Sequence, residues 1–109
     1  MLTPLVVSLI LAGNQPVDAV ICSRIVQAVA TARWVVTDAD GKPLTKEETL
    51  QLWSVWIRVA PPGSLASQSW YPEIIYTTVS LAFEFDDPDE WWPQATHSCL
   101  SILSRFENT

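Results

Sequence analysis

The sequence predicts an α+β fold: terminal helices packed on a small antiparallel sheet. Helical apolar repeats over residues 17–33 and 94–106 supply the helices, and a β-branched and aromatic run over 74–85 supplies the central strand. An all-α helical bundle is the alternative, because a second central segment, 53–59, fits both periodicities. The 109 residues carry no Gly/Ser-rich or Pro-rich linker, so the whole of 1–109 is read as one globular domain.

Taken in order, Thr3 and Pro4 form an N-cap and first-turn proline, opening a short helix through about Ala12. Gly13-Asn14-Gln15-Pro16 then breaks it. Val17, Ile21, Ile25, Ala28 and Ala32 recur at helical spacing, with Asp18 near the start and Arg33 near the end, as the helix dipole favours. Trp34 to Val36 either extends this helix or begins an edge strand. Asp38-Ala39-Asp40-Gly41 marks a turn, and Thr45 with Glu48 makes a capping box that starts a helix at Lys46. Trp53, Val55, Ile57 and Val59 then alternate as in a strand, while Leu50, Trp53, Ile57 and Ala60 suit a helix. Pro61 to Ser64 closes that element. In 74–85, Val79, Leu81, Phe83 and Phe85 alternate with polar or small residues, which predicts a strand paired with 53–59. Asp87 as N-cap and Pro88 at the first position open a helical turn. Pro93 restarts the pattern, and the last helix presents Ala95, Cys99, Ile102, Leu103 and Phe106.

Composition narrows the function. Hydrophobic residues make up 49% of the chain and charged residues 17%, which argues against disorder and leaves apolar surface outside a core of this size. The uncharged run from Leu2 to Ala12 is too short to span a bilayer, and no Lys or Arg precedes it as in a signal peptide, so no membrane association and a cytoplasmic location are expected. Residues 1–60 hold five acids and five bases, whereas 61–109 hold seven acids and only Arg105. That half cannot neutralise phosphates, and nucleic acid is not an expected partner. Cys22 and Cys99 fit no metal or redox spacing and are read as buried thiols. A disulfide between them would require an exported chain.

No catalytic, cofactor or metal site emerges. Asp38, Asp40, Gly41 and Glu47 match part of an EF-hand loop, but Val36 stands where the first carboxylate belongs and Pro43 occupies the usual apolar position. A loop followed by a capped helix explains the same residues. Asp86, Asp87, Asp89 and Glu90 are explained by a helix start without an ion. His97 is the single histidine. On a helix, Cys99 two residues away projects about 200° from it, so the two cannot form a nucleophile–base pair. The expectation is a non-enzymatic protein.

Six tryptophans are the unusual feature. Tryptophan is enriched at interface hot spots, and in a strand Trp53 and Trp56 face opposite sides, which puts one of them outside. Trp91 and Trp92 are adjacent, follow four acids and lie between Pro88 and Pro93. The expected partner-binding residues are therefore Trp91, Trp92, Asp86, Asp87, Asp89, Glu90 and Trp56. They point to a protein–protein interaction or structural assembly protein that associates with copies of itself or with another protein. An acidic inhibitor or decoy that fills a basic groove on a target is the alternative. The order of helix, short sheet, acidic turn and closing helix resembles small completion or connector proteins of tailed bacteriophage particles. That resemblance implies an oligomeric component of a virion, found there or in the host cytoplasm.

Overall fold

A computed structural model describes residues 15–107 and shows four helices: α1 Gln15–Val35, α2 Lys46–Arg58, α3 Tyr71–Phe85 and α4 Pro88–Glu107, with a 3-10 turn at Leu65–Ser67 between α2 and α3. The described residues contain no strand. The one β-type pairing among them is an isolated antiparallel bridge between Thr37 and Pro43. The expected α+β fold is therefore corrected to the all-α alternative. The expected helix over 3–12 lies outside the described residues.

Helix α1 runs through Trp34, so the chain continues helically where an edge strand was an option. Its buried face is Cys22, Ile25, Val26 and Val29, rotated from the expected stripe. Val17 is exposed, and Ala28 and Ala32 are only half-buried. Cys22 and Val26 share a face with Val29 at the spacing of one and two turns, and this is the face turned to α3 and α4.

Beyond α1, Asp38 shapes the turn through its own carboxylate. Its Oδ1 accepts hydrogen bonds from the amides of Asp40 and Lys42, each at 2.9 Å, and Gly41 takes a positive φ of 79°. This carboxylate is occupied by backbone donors, which agrees with a structural loop. The capping box then forms as the sequence predicts. Thr45 Oγ1 accepts from the Glu48 amide, Glu48 Oε1 accepts from the Thr45 amide, and α2 begins at Lys46.

The strand expected over 53–59 is the second half of α2, and the strand expected over 74–85 is α3. The reason is visible in their buried positions. In α3 these are Tyr71, Ile74, Ile75, Thr78, Val79 and Ala82, which fall at i, i+3, i+4, i+7, i+8 and i+11. β-branched residues lower helix propensity only modestly, whereas burying this stripe against α2 and α4 gains several side chains' worth of apolar transfer, about 1.5–3 kcal/mol for each large one. Packing therefore overrides local preference. The alternation of Leu81, Phe83 and Phe85 survives only as half-buried positions at the end of the helix.

Asp86 and Asp87 turn the chain from α3 into α4. Asp86 adopts φ 64°, a left-handed conformation that Asp tolerates better than most residues, and Asp87 Oδ1 accepts from the Asp89 amide at 3.0 Å. Helix α4 continues without a break past Pro93, which cannot donate to the Asp89 carbonyl. Ala95, Cys99, Ile102 and Leu103 are buried as expected, and Phe106 is partly exposed.

Cys22 and Cys99 are both fully buried but are not thiols. They form a disulfide across α1 and α4, with Cα atoms 5.8 Å apart. Their separation of 77 residues carries no hint of this. Only the antiparallel packing of the first and last described helices brings them together.

Two measurements check this architecture. Closing a loop of 77 residues restricts the unfolded chain enough to be worth about 4 kcal/mol, so reduction or the Cys22→Ser/Cys99→Ser double variant should lower the urea midpoint accordingly. An unchanged midpoint would place the cysteines apart. Burial pushes the Tyr71 phenol above its ordinary value of 10.0. The folded state then holds the phenolic proton more tightly than the unfolded state, and stability falls as pH rises through about 10 and beyond. Tyr71→Phe should flatten this alkaline decline, and equal slopes in the two proteins would count against the buried phenol.

Candidate partner-binding groove

The antiparallel contact that joins Cys22 to Cys99 continues to the other end of the helix pair. Twelve residues further along α1 lies Trp34, and seven residues back along α4 lies Trp92. Between them opens a groove of about 380 Å³, closed on one side by the loop after α1. Ala30, Arg33 and Trp34 come from α1, Thr37 and Pro43 from the loop, and Asp86, Pro88, Trp91 and Trp92 from the α3–α4 turn and the start of α4.

The three indoles differ in role. Trp91 is 2% exposed and belongs to the core, yet its indole N–H has no hydrogen-bond partner. Trp92 packs against it with ring centroids 5.9 Å apart and is 36% exposed. Trp34 is 84% exposed, a large apolar ring left in solvent beside the buried face of its helix. Helical geometry explains the contrast: Trp34 is five residues beyond Val29 and so projects about 140° away from that buried position.

Arg33 ties the groove together. Its Nη1 donates to the Ala82 carbonyl at 3.0 Å, its Nη2 to Asp86 Oδ1 at 3.2 Å, and its guanidinium lies 4.4 Å from the centre of the Phe83 ring. The ion pair alone is worth little, because the Asp86 side chain is 82% exposed. The carbonyl bond and the stacking give the arginine a defined position, linking the end of α1 to the end of α3.

Of the residues expected at a partner site, the structure brings Asp86, Trp91 and Trp92 into this groove. Asp87 caps α4. Asp89 lines a neighbouring hollow with Pro88, Trp92 and Pro93, and Glu90 is exposed in the same first turn. Trp56 lies elsewhere. The strand argument that separated it from Trp53 does not apply in a helix, where residues three apart are neighbours, and the two rings meet edge to face at 4.8 Å. Trp53 is buried, while Trp56 is 38% exposed and borders a second groove between α1 and α2 with Arg24, Ala28 and Val35. Trp34 and Arg33 were missing from the expected site. The signal available for Trp34 was its phase on α1, usable only once the helix was known to extend that far.

His97 is exposed on α4 and lines none of these grooves. Among the described residues, no group of three or more His, Cys, Asp or Glu side chains is placed to hold a metal ion. No described helix is long and apolar enough to cross a membrane. The chain matches no protein-family model, no curated protein and no solved structure.

The indoles should separate cleanly on truncation. Trp91→Ala removes a buried ring and should cost about 3 to 5 kcal/mol of stability, whereas Trp34→Ala should change stability by no more than about 0.5 kcal/mol. Denaturant unfolding of the two variants checks this, and comparable losses at both sites would contradict the exposure of Trp34.

Proposed function

We propose that this protein is a non-enzymatic interaction domain that holds a segment of a partner protein in the groove between Trp34 and Trp92. The observation that carries this reading is the 84% exposure of Trp34 at the rim of a cavity whose other side is already aromatic. An exposed indole on a rigid helix offers a large contact area with little side-chain entropy to lose on binding, and such residues dominate interface energetics. Arg33, Pro43 and Pro88 restrict the walls of the groove, which limits the ordering that binding requires.

A second copy of the chain is the other protein partner this surface suits. Val35, Val55, Trp56 and Val59 are exposed on α1, on α2 and just beyond α2, and Val35 and Trp56 border the same groove. Self-association would cover it. The likeness to bacteriophage connector proteins rested on a short sheet between helices, which the described residues lack, so it lends no support here.

The cytoplasmic expectation drew on the short N-terminal apolar run with no base before it, and the reading of the cysteines as thiols went with that compartment. A buried disulfide joining the first and last described helices belongs with chains that mature in an oxidising compartment, and we place the protein's working environment there.

Selection from a random twelve-residue peptide display library on the oxidised protein tests the groove. Enriched peptides should bind the wild type and lose about thirtyfold in affinity to Trp34→Ala or Trp92→Ala, as expected for a hot spot. Enriched peptides that bind all three proteins equally would reject this site. Sedimentation of the wild type across micromolar concentrations decides the second-copy reading, and a monomeric mass throughout would dismiss it.

A further inference from the structure

We infer that the Trp34–Trp92 groove is selective for a segment carrying a lysine or arginine side chain, with the cation held against indole faces and the carboxylates around them. This inference rests on the groove being a partner site and adds the chemistry of the occupant.

The charge arrangement is one-sided. Glu84, Asp86, Asp87, Asp89 and Glu90 stand within seven residues at the junction of α3 and α4, and all five are exposed. Among the described residues, Arg33 is the one cation lining the groove. Its donors are engaged by the Ala82 carbonyl and Asp86, and its face is covered by Phe83. Lys42 precedes Pro43 on the loop but does not line the groove, and Asp38 and Asp40 flank it in the same turn. Lys46, three residues beyond Pro43, sits over the Tyr76 ring, so the five acids of the junction outnumber the nearby cations Arg33, Lys42 and Lys46. Trp92 borders both the groove, which Asp86 also lines, and the adjoining hollow, which Asp89 also lines.

Indole faces attract cations through the ring quadrupole, and tryptophan does so best among the aromatic side chains. Carboxylates beside the ring add Coulomb attraction and disfavour an acidic occupant. Trp91 supplies a second, independent pointer. Its ring lines the groove, its side chain is almost wholly buried, and its indole N–H is unpartnered. A buried donor without an acceptor is costly, and a peptide segment brings backbone carbonyls that can satisfy it where solvent does not. A cationic side chain on a peptide backbone answers both features at once.

The peptides enriched by display on the wild type provide the test. Enriched sequences should share a Lys or Arg, and replacing it with citrulline or norleucine should weaken binding by about tenfold. The Asp89→Asn/Glu90→Gln variant, which leaves the Arg33–Asp86 pair and the Asp87 cap in place, should weaken the basic peptide more than its neutral analogue. Enriched peptides that are neutral or acidic, yet are lost on Trp34→Ala, would overturn the cation selectivity and keep the groove as a binding site. Peptides indifferent to Trp34→Ala and Trp92→Ala would overturn both.

Discussion

The packing of α1 against α4, closed by the Cys22–Cys99 disulfide, is the contact on which the rest of the molecule depends. It joins the first and last described helices, and α3 completes the core by placing Ile74, Ile75, Val79 and Ala82 among the residues buried with that pair. Removing the link would open the closed loop of the unfolded ensemble without changing any local propensity. Its contribution is therefore global, whereas the Thr45–Glu48 capping box fixes only where one helix begins.

The same contact creates the groove. Beyond the disulfide, toward the end of α1 and the start of α4, Arg33 and Trp91 form the boundary of the core. Arg33 occupies a position where an aliphatic residue would continue the core, and it binds the end of α3 through the Ala82 carbonyl, Asp86 and Phe83. Trp91 seals the interior with its ring, and its N–H is buried without a partner in the chain. The groove is thus the outer boundary of the core, bordered by residues that serve stability on one side and present aromatic and acidic surface on the other.

Much of the helical framework was legible in residue spacing. The 17–33 repeat, the capping box at Thr45, the Asp38 turn, the start at Pro88 and the face of Ala95, Cys99, Ile102 and Leu103 all rest on interactions within one turn of chain, which is why they can be read locally. The 74–85 segment could not be read that way. Its β-branched and aromatic residues satisfy alternation and helical spacing together, and the choice falls to α2 and α4, which offer a stripe of contacts where no second strand exists. The same ambiguity misplaced Trp56 relative to Trp53. For the candidate site, the adjacency of Trp91 and Trp92 and the acids before them were plain. Their division into one buried and one half-exposed ring was not, because it depends on which side of α4 faces α1.

What the sequence determined by itself is therefore the set of local instructions: helix starts, turn positions, the acidic bias of the second half and the surplus of tryptophan. Tertiary structure alone decided the class of the fold, the pairing of Cys22 with Cys99 and the placing of Trp34 and Trp92 on one groove. Each of those depends on residues dozens of positions apart becoming neighbours. Such proximity is set by the summed burial of whole helix faces, and no short stretch of sequence contains that sum.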